Sequence, residues 1–206
     1  MSNISIIGTG NMASAMAERA LAGGNAVEII GRDPVKAKEL AAEIVGATVG
    51  TADTAPAGDI VILAVPYAGA VAVVSEYGDA LRDKVVIDIT NPVSPDLTGF
   101  VTPEGSSGAQ EIAKAAPAGA HVVKAFNTLF ANVLADGRPV DVFIAGDDAP
   151  AKARVSVFIE SLGLRPLDAG PLLLARALEN VGLLEISLLN HSIKHTDFCL
   201  GVNVLS

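Results

Sequence analysis

Tryptophan is absent from this 206-residue chain, cysteine occurs once, and aromatic residues make up only 4% of it. A lone thiol, Cys199, cannot close an intrachain disulfide, so a cytoplasmic setting is the expectation. With no second thiol or histidine beside it in the sequence, Cys199 reads as a small buried residue rather than a redox centre. Basic charge is scarce as well: 14 Lys and Arg against 23 Asp and Glu leave a formal charge of −9. A surface of that sign lacks the basic face that a nucleic-acid partner requires. Long apolar runs are also missing. The longest uncharged stretch, residues 60–75, is interrupted by Pro66 and Gly69, and it falls short of the ~18–20 apolar residues of a membrane helix. The first residues have no basic start and no extended apolar core, which excludes a secretory signal there. Neither a nucleic acid nor a membrane is an expected partner.

What is abundant is aliphatic. Half the residues are hydrophobic, and with so few aromatics this mass is Ala, Val, Ile and Leu, the composition of a parallel sheet covered by helices on both faces. The length suits one α/β domain with a well-buried sheet. Strand patterns are expected over residues 3–7, 26–30, 47–49, 60–65, 85–89, 121–125, 140–145 and 164–167. Helices are expected over 11–21, 33–44, 67–77, 109–116, 149–162 and 171–194, with a turn-rich loop over 91–107. This alternation predicts a Rossmann-type, doubly wound, mainly parallel sheet with a C-terminal helix packed on it. Residues 1–206 are read as a single domain, with 147–206 extending the same sheet.

Gly8-Thr9-Gly10-Asn11-Met12-Ala13 fits the G-x-G-x-x-G/A pattern between a first strand and a first helix. The first glycine permits the tight turn, the second lets backbone amides approach a pyrophosphate, and the small third position lets helix and strand pack closely. At the end of the second strand, an NAD site usually carries an acid for the ribose hydroxyls. Here the sequence reads Gly31-Arg32-Asp33-Pro34-Val35-Lys36. Arg32 offers a planar fork to a 2′-phosphate, Lys36 a second cation and Thr9 a hydroxyl, while Asp33 before Pro34 is placed to cap the next helix. NADP(H) is therefore the expected cofactor. Three more segments fall at carboxyl ends of strands: Ala64-Val65-Pro66, Thr90-Asn91-Pro92 and Lys124-Ala125-Phe126-Asn127-Thr128. Pro66 and its neighbours are candidates to cover the ribose and pyrophosphate. Asn91 and Asn127 are candidates to orient the nicotinamide or a substrate edge, each with the alternative of a turn residue bonding its own backbone.

With these motifs in place, the chain resembles the F420-dependent NADP oxidoreductase family and is similar to the reductase domain of the STEAP metalloreductases. The resemblance spans nearly the whole chain. Besides the glycine motif and Gly31-Arg32, it runs through Asp88-Ile89-Thr90-Asn91-Pro92, Val123-Lys124-Ala125-Phe126-Asn127-Thr128 and Ala145-Gly146-Asp147-Asp148. Its most specific part is Leu164-Arg165-Pro166-Leu167-Asp168-Ala169-Gly170-Pro171-Leu172. The resemblance implies hydride exchange between NADPH and F420 or a flavin, with Thr9, Arg32 and Lys36 on the 2′-phosphate and Gly31 where the family often has serine. Such a transfer between stacked rings demands positioning more than acid–base groups, and no residue is assigned a catalytic role. Two further readings stand beside it: reduction of a small carbonyl or imine, and a non-catalytic NADP(H)-binding sensor. His191 and His195, spaced i, i+4, lack the further ligands of a metal site, and no metal is expected. His121 is expected at the sheet end away from the cofactor. The sparsely charged helix around residues 172–189 predicts a homodimer face.

Overall fold

Runs of Ile and Val need neighbours on both faces, and the chain supplies them by alternating each run with a helix that crosses back over the sheet. In the computed structural model, which describes residues 1–205, the strands are β1 (Asn3–Ile7), β2 (Ala26–Ile30), β3 (Thr48–Gly50), β4 (Ile60–Leu63), β5 (Val85–Asp88), β6 (His121–Lys124), β7 (Asp141–Gly146) and β8 (Arg165–Asp168). The helices are α1 (Asn11–Ala22), α2 (Pro34–Glu43), α3 (Tyr67–Tyr77), α4 (Gly108–Ala115), α5 (Ala131–Ala135), α6 (Ala149–Ser161) and α7 (Ala175–Leu188). One eight-stranded sheet results, in the order β3-β2-β1-β4-β5-β6-β7-β8. It is parallel through β6. β7 runs antiparallel to β6, overlapping it only at Val123 opposite Gly146 and Lys124 opposite Ala145, and β8 pairs parallel with β7.

β4 and β5 are buried along their whole length. One core layer packs Met16, Ala20, Val133, Phe158 and Ile159 of α1, α5 and α6 on Ile6, Ile62 and Ile87. The opposite layer packs Val74, Ile112 and Ala175 of α3, α4 and α7 on Val61, Leu63 and Val86. Strand order reverses at β1, which pairs β2 on one side and β4 on the other. A crevice therefore opens beyond the carboxyl ends of these strands. No helix among the described residues is long and apolar enough to cross a membrane.

Three local expectations are refined. Residues 131–135 form a short helix within a segment with no helical period to reveal it. α4 is firmly started by a capping box: the Ser107 hydroxyl accepts from the Gln110 amide (3.1 Å), and the Gln110 side chain accepts from the Ser107 amide (3.0 Å). The long last helix is three pieces, a 3₁₀ turn (Leu172–Leu174), α7, and a π-helical turn (Leu189–Ile193), closed by Lys194 in the left-handed region.

Candidate functional site

The glycine loop follows β1 at the reversal point. Gly8 has φ +139°, and a Cβ on it would lie 2.1 Å from the Ala64 carbonyl oxygen. Its amide donates to the Ile30 carbonyl at 2.8 Å, and the Ala64 amide donates to the Ile7 carbonyl at 2.8 Å, so the end of β1 is stitched to both neighbours. Gly10 is different. A Cβ there would meet no protein atom within 4 Å, so the fold itself does not require glycine at that position. The room it leaves lies over the first turn of α1, which no side chain caps. The amides of Asn11, Met12 and Ala13 precede the first intrahelical bond. Uncapped amides beneath open space are what a pyrophosphate needs, and the cradle fits that group.

At the end of β2, Gly31 is buried against Thr9: a Cβ would come within 2.8 Å of Thr9 Cγ2 and 3.1 Å of Ala37 Cβ. A side chain in place of Gly31 would have to push Thr9 aside and press on the Asp33 carbonyl. Asp33 turns onto its own helix, accepting from the Val35 amide (3.0 Å) and the Lys36 amide (3.4 Å). Arg32 and Lys36 are both exposed beside it. Neither side chain makes a hydrogen bond or ion pair among the described residues.

Beyond β4 and β5 lies a cleft of about 350 Å³, walled by Val65, Pro66, Tyr67, Asn91, Pro92 and Val101. Pro66 is the exposed N-cap of α3. Ala64 and Val65 are half-buried, while Ala125 is fully buried and gives its amide to the Asp88 carbonyl at 3.1 Å. Asn91 and Asn127 meet each other rather than their own turns. Asn91 Nδ2 donates to the Asn127 carbonyl (2.7 Å), and Asn127 Nδ2 donates to Asn91 Oδ1 (2.9 Å) and to the Leu178 carbonyl of α7 (2.9 Å). Phe126, at φ +60°, turns the chain into this clasp and is held by edge-on packing against Phe158.

One constellation was not anticipated from the sequence: Asp88, Lys124 and Glu179 are all fully buried and bonded together at the ligand end of β5 and β6. The available signal was charge closing two apolar runs, Val85-Val86-Ile87-Asp88 and His121-Val122-Val123-Lys124, since such residues are almost never fully buried unless paired. Burial pushes the Glu179 carboxyl above its usual range, opposed by Lys124. Burial and the nearby carboxylates Glu111, Glu179 and Asp88 push the Tyr67 hydroxyl up.

The run over residues 164–172 lies at a distance from the cleft. Gly170 donates to Asp168 Oδ1 (2.8 Å), Lys152 pairs with Asp168 (2.8 Å), and the Leu172 amide donates to Asp147 Oδ1 (2.8 Å). Together these set where α7 starts and aim Leu178, Glu179 and Gly182 at the site. His121 lies at the opposite end of β6, 3.6 Å from Asp148. His191 belongs to the π-helical turn, while His195 lies beyond Lys194, so the pair does not share one helix face. No group of three or more metal-capable side chains occurs among the described residues. Cys199 is half-buried, its thiol pushed up by burial and by Glu185, away from thiolate character.

Residues 3–92 match the family model described as NADP oxidoreductase, coenzyme F420-dependent. The F420-dependent NADP reductase of Methanothermobacter thermautotrophicus is 30% identical over 201 residues, covering 88% of this chain and 86% of that one. The metalloreductase STEAP3 of Rattus norvegicus is 30% identical over 184 residues, covering 87% of this chain but 36% of that protein. Among solved structures, a candidate F420-dependent NADP-reductase from Arthrobacter sp. FB24 superposes with a TM-score of 0.87 at 26% identity, covering 99% of this chain and all of the other.

Proposed function

Since the chain belongs to the F420-dependent NADP oxidoreductase family and is an NADP-dependent oxidoreductase, we propose that it transfers hydride between NADP(H) and the ring of a deazaflavin or flavin. The observation that carries the choice of acceptor is the cleft beyond β4 and β5. Its walls are mainly prolines and valines with Tyr67, and its polar members, Thr90 and Asn91, stand together on one side. Flat apolar walls suit a planar ring system, whereas a small carbonyl or imine substrate would call for convergent polar groups.

The residues have separate tasks in this reading. Gly8, Gly10 and the first-turn amides of Asn11 and Met12 cradle the pyrophosphate, while Thr9, Arg32 and Lys36 surround the 2′-phosphate, with Gly31 bringing the backbone close. Ala64, Val65 and Pro66 cover the ribose, and Asn91, Ala125 and Asn127 shape the nicotinamide end. NADPH, when bound, supplies the hydride. The protein's contribution is to hold the donor and acceptor rings at contact distance and to shut water out of the cleft between Pro66 and Pro92, which lowers the barrier by removing orientational freedom. A small-molecule acceptor, a cytoplasmic setting and a homodimer complete the reading.

Purified protein offered NADPH with F420, FMN, FAD, a ferric chelate or a cyclic imine in turn, and followed by loss of NADPH absorbance, tests it. Turnover with F420 or a flavin is the expected result. Turnover with the imine alone would replace the acceptor assignment, and tight NADPH binding without turnover on any acceptor would favour a sensor.

A further inference from the structure

Lys124 Nζ donates to Asp88 Oδ2 (2.8 Å), to Glu179 Oε1 (3.0 Å) and to the Thr90 carbonyl (2.5 Å), which uses all three of its N–H bonds. Two carboxylates thus face one ammonium, leaving one uncompensated negative charge when both are ionised. Glu179 is the unequal partner. Its Oε1 also faces the first-turn amides of α4, with the Ala109 amide at 3.4 Å, while its Oε2 is buried with no partner among the described residues. β5 brings Asp88, β6 brings Lys124, and α4 brings backbone amides and Glu111, which is itself paired with Lys114. α3 brings Tyr67, whose raised hydroxyl stays neutral and cancels nothing.

A purely structural pair would need one carboxylate, and even that often stabilises no better than apolar packing. The surplus charge has a direction instead. Thr90, whose carbonyl Lys124 holds, and Asn91 after it both line the cleft. The glycine loop and Arg32 assign the adenosine half of the dinucleotide to the β2 side, so the nicotinamide half extends over β4 and β5. We propose that the Lys124–Asp88–Glu179 cluster selects the redox state of the bound nicotinamide, its surplus negative charge favouring the cationic ring of NADP⁺ over the neutral ring of NADPH. This rests on the cofactor reading above. Unit charges about 10 Å apart at an effective dielectric near 20 differ in energy by enough to change an affinity about tenfold. By linkage, the same factor draws the equilibrium on the protein toward oxidised cofactor and reduced acceptor.

Glu179→Gln removes the charge and keeps the shape and the oxygen that accepts from Lys124. Dissociation constants for NADP⁺ and NADPH are measured by titration at about pH 9, because alkaline conditions favour the ionised form of a carboxyl that burial raises. The ratio Kd(NADP⁺)/Kd(NADPH) is expected to rise about tenfold, chiefly through weaker NADP⁺ binding. A merely structural role would weaken both forms alike and leave the ratio unchanged, and that result in a folded variant overturns the proposal. Should a melting curve show that Glu179→Gln does not fold, Asp88→Asn makes the same change of charge from the other side of Lys124 and must move the ratio the same way. A wild-type protein that binds neither nucleotide would overturn the cofactor reading itself, and this inference with it.

Discussion

Replacing Arg32 with alanine is the sharpest test of how the chain recognises its nucleotide. Arg32 is exposed and bonded to nothing among the described residues, so its loss breaks no internal contact and should leave the fold intact. Its guanidinium stands beside a buried glycine and a helix whose acidic cap, Asp33, is already occupied by the Val35 and Lys36 amides. A bidentate bond from such a fork to a phosphate dianion contributes about 1.5–3 kcal/mol, and solvent exposure places this site toward the lower end. Arg32→Ala should therefore weaken NADPH about 10- to 30-fold while changing NADH less than about twofold. Lys36→Ala, a screened point charge one helical turn further on, should cost NADPH about two- to fivefold. Fluorescence titrations with both cofactors measure these values. The discrimination should shrink in high salt and also as pH falls through about 6, where a phosphate monoester loses its second charge. Asp33→Ala supplies the control: it should lower stability by about 1 kcal/mol through the lost cap and leave the NADPH/NADH ratio alone. Equal losses of NADPH and NADH affinity in Arg32→Ala would refute the phosphate assignment.

Further expectations concern stability, the cleft and assembly. Gly8→Ala drives a Cβ to within 2.1 Å of backbone at Ala64, where nothing flexible can yield, so a fall of several degrees in Tm or loss of soluble protein is expected in a melting experiment. Gly182→Ala places a methyl 2.5 Å from Asn91 Oδ1. Asn91 is held there by two hydrogen bonds to Asn127, so yielding breaks the clasp: Tm should fall by a few degrees while the acceptor KM increases several-fold, and unchanged KM would disconnect Asn91 from the cleft. Glu185 is buried with Oε1 unpartnered, and burial raises its carboxyl from 4.5 to about 7. The neutral form is thus the one the fold favours, and its contribution is complete below pH 4.5 and lost as pH rises through about 7. Melting wild type beside Glu185→Gln should show wild type losing roughly 3 kcal/mol relative to the variant between about pH 5 and pH 8, and a difference that stays flat would place Glu185 in contact with water. Leu173 and Leu184 are 61% and 50% exposed on the α7 region. Sedimentation should find a dimer that Leu184→Glu converts to monomer, and a wild-type monomer would remove the homodimer from the reading.

What was legible in the sequence followed local rules. The glycine loop, the β-branched runs of β1, β4 and β5, and Asp33 as a cap each announce themselves within a few neighbouring residues. The capping box of α4 was legible too, as Ser107 followed three residues later by Gln110, though Gly108, a poor helix former, stands at the first helical position. The clasp between Asn91 and Asn127 and the Lys124 cluster were not. Asp88 and Lys124 are 36 residues apart and Lys124 and Glu179 are 55 apart, and no periodicity links them. Their meeting depends on β5 lying beside β6 and on the angle at which α7 returns. Asn91 likewise reads as a turn residue, because its partner Asn127 sits on the loop after β6 and is itself held by the Leu178 carbonyl of α7.

α7 is where fold and site meet, because its two faces have different obligations. Ala175, Leu178, Glu179 and Gly182, spaced i, i+3, i+4 and i+7, share the face turned to the sheet and to the Asn91–Asn127 clasp, and Leu184 on the opposite face points outward. The nucleotide cradle, built from β1, α1 and β2, owes nothing to this helix. The glycine loop is therefore read from residues close together in sequence, whereas the Asn91–Asn127 clasp and the Lys124 cluster depend on where α7 comes to rest. The cleft itself is walled by residues 65–68, 90–93, 95 and 101, and α7 rests against it through Gly182 beside Asn91. The Asp168-Ala169-Gly170-Pro171 turn fixes that resting place. A helix begun a fraction of a turn earlier would carry Glu179 away from Lys124 and leave a buried ammonium short of one partner, a cost of several kcal/mol.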